Sequence, residues 1–474
     1  MHPSLRVRNR LLHTLVIASI LFASSTTWAG RILRSKVLFG VEYTFQDQEM
    51  VDEPGRNTTS TPHKEKKAKE IALGIAKNLT LPDTAVKRKQ SWKRGWYVVV
   101  PNDGKWVINA EPVTIEVNTT PRPVNGLVAV ARPIFRATKD AGLVPYVNPA
   151  AERSGMGHFH VGAAQIGESP FFKHPLLLRN VMVYLHKNPG LLHGFAEAFD
   201  IGNGSNIETY HDERQELFRD AVAEFDRWYD GASKAERANG FNEFISILHA
   251  YDEKTSTRVV FFEHYRLFNI RNLAAGNFLP DSTGKLTVEF RNFRPPKSPE
   301  TAKSIAELLL ALMEAQSAPN VKEKFEWISA DEYLRFNTGT RVLSNWEKVK
   351  QDLDLNDPLL DAEVAEYAEA VQRFKYKSPV GGGELFMSHS RKDEKGEFFE
   401  LRLSVSEHAA RPELVHWNGT VDFERMSLDG VEYWVAAIDA KAIGVQPSAL
   451  KEGRVTWKIR PSPGSCPKLF RSAG

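Results

Sequence analysis

Four short stretches of the chain set polar or ionisable side chains two residues apart, with apolar residues between them. Glu42 and Thr44 alternate with Val41, Tyr43 and Phe45, and Glu116 and Asn118 alternate with Ile115 and Val117. His158 and His160 flank Phe159, and Glu289 and Arg291 alternate with Val288 and Phe290. A strand turns successive side chains to opposite faces, so each polar pair shares a face while its apolar neighbours point to a core. In one sheet, the four pairs would make a tray of carboxylates, imidazoles and a guanidinium. For any single stretch the plainer reading is a solvated sheet face. Repetition of Glu and His on every strand favours a metal tray instead, because carboxylates with some imidazole hold Mg²⁺ or Mn²⁺, and Zn²⁺ accepts the same donors. An Arg two residues from a ligand Glu suits an oxyanion or phosphate, which its planar fork binds through two hydrogen bonds.

The surrounding elements must bring those pairs together. Residues 36–45 read as a strand, and the basic stretch 64–77 as a helix with a solvated face. Two β-rich runs, 96–100 and 113–117, flank a tight-turn signal at Asn102-Asp103-Gly104. A short strand is written at 157–162 and another at 285–293, with helices over 176–199, 212–228 and 241–251 between them. Ser298, Pro299 and Glu300 form a helix start, followed by Ile305, Leu308, Leu309, Leu312 and Met313 at helical spacing. Helical segments are expected to continue to about residue 376. After Pro379-Val380-Gly381-Gly382-Gly383 the pattern changes to short alternating strands (398–405, 420–423, 433–437, 454–460). The expected organisation is therefore a leader at 1–29, an α+β body at 30–378 and an all-β module at 379–474.

The leader has Arg6, Arg8 and Arg10, an apolar run from Leu11 to Ala23, and small residues up to a cleavage position after Ala29. That run is short for about 30 Å of hydrocarbon, which takes about 20 apolar residues. The expectation is an exported, periplasmic protein that meets the membrane only through its signal peptide. Of 474 residues, 42% are hydrophobic and 26% charged, and the net charge is +3. Such a balance supplies no global field toward nucleic acid, and Arg and Lys are not striped with aromatics. The single cysteine, Cys466, allows no internal disulfide, which fits a bacterial periplasm better than a eukaryotic secretory route. The triplets at Asn57, Asn78 and Asn118 are accordingly read as chance and not as glycosylation sites. No Gly-rich phosphate loop, His-Glu-X-X-His or Gly-X-Ser-X-Gly elbow stands in a usable context.

Taken in order, the four stretches resemble the amidoligases of the carboxylate–amine ligase superfamily, which includes glutamine synthetase and glutamate–cysteine ligase. Phe39-Gly40-Val41-Glu42-Tyr43-Thr44-Phe45 is similar to their opening Gly-Val-Glu-X-Glu-Phe strand. The segment from Trp96 through Asp103 to Ile115-Glu116-Val117-Asn118-Thr119-Thr120-Pro121 resembles their Trp…Asp-Gly…Glu…Ser-Pro run. Ser154-Gly155-Met156-Gly157-His158-Phe159-His160-Val161-Gly162 resembles their Gly-X-His-X-His-Val-Gly strand, and Thr287-Val288-Glu289-Phe290-Arg291-Asn292-Phe293 their closing Glu-Phe-Arg strand. Tyr265 and Asn269 stand where the family often has Tyr and Asn. The likeness covers about residues 37–314.

The resemblance implies a curved antiparallel sheet with helices on its outer side. It implies a first metal held by Glu42, Glu289 and one or both of His158 and His160, and a second served by Glu116 and Asp103. Arg291 would face a phosphate or transferred oxyanion, and His158, His160 or a carboxylate would act as base. For His160, support of a ligand and direct ligation stay equally open. Thr44 departs from the family by standing where the second Glu of the opening strand belongs.

The family joins a carboxylate to an amine at the cost of ATP, whereas an exported enzyme has no ATP supply. The favoured expectation is therefore metal-assisted hydrolysis or transfer at an amide or isopeptide bond of a peptide or cell-wall peptide. ATP-driven ligation is the alternative, and a non-catalytic periplasmic scaffold is a second one. The C-terminal β module would dock a protein partner or the wall.

Overall fold

The computed structural model describes residues 32, 34–47, 49–50, 61–88, 95–100, 105–110, 114–145, 157–162, 170–193, 195, 212–254, 261–262, 268–270, 287–318, 320–328, 339–373, 375–377, 384–393, 396–404, 412–416, 419–428, 431–439 and 458–461. The leader, Asp103, Tyr265 and Cys466 lie outside them. Among the described residues no helix is long and apolar enough to cross a membrane. The fold mixes helices with antiparallel sheet.

The main sheet is built from β1 (Leu38–Gln46), β2 (Val86–Arg88), β3 (Gly95–Val99), β4 (Trp106–Ala110), β5 (Ile115–Thr119), β6 (Val144–Pro145), β7 (Gly157–Gly162), β8 (Phe268–Asn269) and β9 (Thr287–Phe293). Its order is β2-β3-β4-β5-β1-β7-β9-β8, with β6 beside β1 and every pair antiparallel. β1 is thus central, between the Glu116 strand and the His-X-His strand.

Alternation assigns the two faces. Val41, Tyr43, Phe45, Ile108, Ile115, Val117, Phe159, Val161, Val288 and Phe290 are all buried on the apolar side. Helix α1 (Pro62–Asn78) and helix α2 (Leu127–Asp140) pack against each other. Phe135 of α2 meets Tyr43 and Phe45 edge-on at 5.8 and 5.4 Å, which fixes the apolar side of β1 to that helix.

α1 starts where Thr61 caps the Lys64 N–H and Pro62 takes the first turn. Opposite the expected solvated face, Ala68, Ile71, Ala72, Ile75 and Ala76 are buried at three- and four-residue spacing, and Lys64 is sealed with them. The other face exposes Lys66, Lys69 and Lys77.

A second layer holds helix α3 (Leu177–Lys187), α4 (Asp212–Gly231), α5 (Gly240–Lys254), α6 (Pro299–Gln316), α7 (Gly339–Leu353) and α8 (Pro358–Arg373). α6 starts as expected, with Ser298 accepting from the Thr301 N–H, and packs on α2, α3, α7 and α8. The single helix expected over 176–199 is instead broken after Lys187. Pro189 disfavours helical backbone at Asn188, whose φ and ψ are −125° and 63°, and a separate short turn of helix follows at Pro189–His193.

The two β-runs that flank Asn102–Gly104 do not pair with each other. β4, absent from the sequence reading, lies between them and pairs with both β3 and β5. Further along, 321–328 has no regular secondary structure where helical segments were expected.

The C-terminal strands form a five-stranded sheet, β10 (Lys375–Lys377), β11 (Glu384–Asp393), β12 (Gly396–Ser404), β16 (Val431–Asp439) and β15 (Glu424–Leu428). A three-stranded one contains β14 (Gly419–Asp422), β13 (Pro412–His416) and β17 (Lys458–Pro461). The first sheet already begins at Lys375, just before the expected boundary at 379.

Candidate metal centre

Register brings the polar pairs onto one face. Glu42 lies opposite His158 on one side and Asn118 on the other, Gly40 lies opposite His160, and His160 lies opposite Glu289. β8 adds Asn269 directly across from Glu289. Three strands thus supply the central donors and a fourth supports them.

Glu42 sits between the two imidazoles. Nδ1–H of His158 donates to its Oε2 at 2.6 Å, and Nε2–H of His160 donates to its Oε1 at 3.0 Å. Glu289 approaches the same atoms from β9, its Oε1 3.2 Å from His158 Nδ1 and 3.7 Å from His160 Nε2. Ligand atoms of Glu42, His160 and Glu289 all lie within 4.8 Å of one another. The side chains of Glu42, His158 and His160 are 12–13% exposed and that of Glu289 is 5% exposed.

Two acids and two imidazoles in a largely dry site must neutralise one another. Burial pushes the Glu42 carboxyl up, but attraction to His158 and hydrogen bonds from both imidazoles outweigh it and hold the group well below the usual carboxylate range. Glu42 is therefore an anion at neutral pH. Arg291 Nη1 donates to Glu289 Oε1 at 2.7 Å, and Asn269 Nδ2 donates to Oε2 at 2.7 Å. Both oxygens of Glu289 are thereby oriented, the second by a carboxamide that is itself 1% exposed.

The edge of the site depends on one close approach. A Cβ on Gly157, the first residue of β7, would stand 2.8 Å from the Arg294 carbonyl oxygen and 2.9 Å from Pro295 Cα. Those are backbone atoms and cannot swing away, so only glycine lets β7 run this near to the end of β9. The pairing is irregular there, between Gly157 and Phe159, where β9 carries more residues than β7.

Of the residues singled out from sequence, Glu42, His158, His160, Glu289 and Arg291 meet in this cluster. Glu116 does not belong to it. It lies opposite Thr44 and Asn109, and its Oε1 accepts from Asn109 Nδ2 at 3.1 Å and from Asn118 Nδ2. Glu42, His160 and Glu289 are the one group with metal-holding geometry among the described residues. Asn109 escaped the sequence reading because β4 did; the alternation of Trp106, Ile108 and Ala110 with Val107 and Asn109 was its available signal. Gly157 carried no signal beyond its place before His158.

The chain matches no protein-family model and no curated protein sequence.

Proposed function

We propose that this chain is an exported, periplasmic metal-dependent enzyme with a glutamine synthetase-like sheet, acting without ATP on amide or isopeptide bonds of peptides such as those of the cell wall. One observation carries the reading: Glu42, His160 and Glu289, from three different strands, each bring a ligand atom within 4.8 Å of the others. Two carboxylates with an imidazole suit a divalent ion such as Mg²⁺, Mn²⁺ or Zn²⁺. The resemblance of the four strand motifs to the amidoligases, in order, supports the bond type.

Glu42, His160 and Glu289 would hold the ion, which when bound supplies a Lewis acid for a carbonyl and a more acidic water. For this His160 must present Nε2 as a lone pair and keep its proton on Nδ1, where Thr287 Oγ1, 3.4 Å away, accepts it. Asn269 keeps Glu289 turned inward. His158, its Nδ1–H held by Glu42 at 2.6 Å and lying 3.2 Å from Glu289, is the proton carrier: it takes a proton at its other ring nitrogen, Nε2, from the attacking nucleophile and returns it to the leaving amine. Arg291 stabilises the oxyanion that develops on the carbonyl oxygen, since its side chain is oriented by Glu289 and still 16% exposed. The low exposure of the cluster keeps bulk water from screening these charges.

The test incubates the protein lacking residues 1–29 with Mg²⁺ or Mn²⁺ and purified cell-wall peptides, with and without ATP, and reads product masses. Gain of one water without ATP, abolished in Glu289→Gln, is the expected result. Loss of water only with ATP would replace hydrolysis by ligation. Unchanged activity in Glu289→Gln would leave a scaffold as the better account.

A further inference from the structure

We infer that Arg291 competes with the metal for Glu289, so that loading the site releases the guanidinium to meet the oxyanion of the substrate. This deepens the function proposed above and rests on its metal reading. The two oxygens of Glu289 are not equivalent. Oε2 accepts from Asn269, whose side chain is itself buried. Oε1 is turned to the imidazoles, 3.2 Å from His158 Nδ1 and 3.7 Å from His160 Nε2. It is therefore the atom that Glu289 offers to an ion shared with Glu42 and His160. Arg291 Nη1 donates to that same oxygen at 2.7 Å.

The contact is made to be given up. Arg291 reaches Glu289 through Nη1 alone, and its remaining N–H donors have no partner among the described residues. The firm two-pronged pairing of guanidinium with carboxylate is not used here. The Arg291 side chain is also 16% exposed against 5% for Glu289, so it borders the open side of the cluster. Charge decides the sign. Two carboxylates balance a divalent ion by themselves, and a guanidinium kept on the same oxygen would face a like charge with no anion left to neutralise. Asn269 is neutral and bonds the other oxygen. Two groups that hold Glu289 at the same distance therefore act on the ion in opposite directions: Asn269 supports it and Arg291 opposes it.

Release does not carry Arg291 away from the site. It stands two residues from Glu289 on β9, so it stays on the face that carries the cluster. Its planar fork is then free to bind an oxyanion through two hydrogen bonds. The electrophile and the oxyanion partner are thus assembled together, and the ion precedes the substrate. Couplings of this kind typically amount to about 5–150-fold in affinity.

The experiment is a calorimetric Mn²⁺ titration of the chain lacking residues 1–29, at pH 8 so that protons compete little for the ligands. Arg291→Gln should bind Mn²⁺ at least about fivefold more tightly than the unsubstituted protein. Arg291→Lys, which keeps the charge, should stay close to the unsubstituted value, and Glu289→Gln should lose the ion. If Arg291 instead orients a ligand, Arg291→Gln should bind about 10–100-fold more weakly, as is typical when such a support is removed. The two accounts differ in sign, and unchanged or weaker affinity would overturn the inference. A second readout needs no variant: labelling of Arg291 by phenylglyoxal, followed by peptide mass mapping with and without Mn²⁺. Arg132, whose side chain is 60% exposed, serves as the internal reference. Saturating Mn²⁺ should speed labelling of Arg291 severalfold relative to Arg132, and an unchanged or slower rate would equally overturn the inference. Mn²⁺ binding to the unsubstituted protein with no gain in Arg291→Gln sinks this inference and leaves the metal reading standing. No binding to either protein sinks both, whereas binding to Arg291→Gln alone supports the competition.

Discussion

Asn269 offers a direct test of how the centre is held together. It occupies a two-residue strand, is 1% exposed, and donates at 2.7 Å to the outer oxygen of Glu289, itself 3% exposed. Asn269→Leu keeps much of the volume and deletes the donor, in a place where water has little access. A hydrogen bond to a charged group contributes about 1.5–3 kcal/mol, so the metal-free protein should lose that much unfolding free energy in a denaturant titration. Groups that orient a metal ligand typically change affinity by about 10–100-fold, so Mn²⁺ should bind that much more weakly by calorimetry. The two readouts separate structure from function. A stability loss below about 0.5 kcal/mol would mean that Arg291 alone satisfies Glu289. Full stability loss with Mn²⁺ affinity changed by less than about threefold would mean that Glu289 is not a ligand.

Gly157→Ala should cost about 1–3 kcal/mol in urea unfolding, because its Cβ would meet the Arg294 and Pro295 backbone, while Gly40→Ala, whose Cβ makes ordinary contacts at 3.5 and 3.7 Å, should be neutral or gain up to about 1 kcal/mol. His186 on α3 is 1% exposed, donates from Nε2 to the Glu326 carbonyl at 2.9 Å and stacks on Phe325, and burial lowers its pKa to about 4. The unfolded chain takes up a proton near pH 6.5 that the folded one refuses, so stability is complete above that pH and falls by about 3 kcal/mol as pH drops toward 4. Unfolding curves at pH 7, 5.5 and 4 should show this loss, and His186→Leu should flatten it; an unchanged slope in the variant would show that other groups dominate.

The sequence by itself determined which side chains share a face. Alternation in β1, β5, β7 and β9 is local, set by the pleat and by the contrast of polar with apolar residues, so Glu42, His158, His160, Glu289 and Arg291 could be picked out before any fold was known. The start of α6 was legible for the same reason, since Ser298 caps the helix through a contact three residues away. Distance was not legible. Whether His160 meets Glu42 or Glu289, and whether Glu116 joins them, depends on strand order and register, which are fixed by pairing between segments far apart in sequence. β4 illustrates the difference: five residues with a modest pattern insert between two stronger runs, and that insertion places Asn109 against Glu116. Helix α1 shows the converse, as composition reports its basic solvated face while tertiary packing buries Lys64 and the alanines. Local periodicity chose the donors; long-range pairing decided which of them share a site, because burial of the apolar face is satisfied by one strand order and the polar face must follow it.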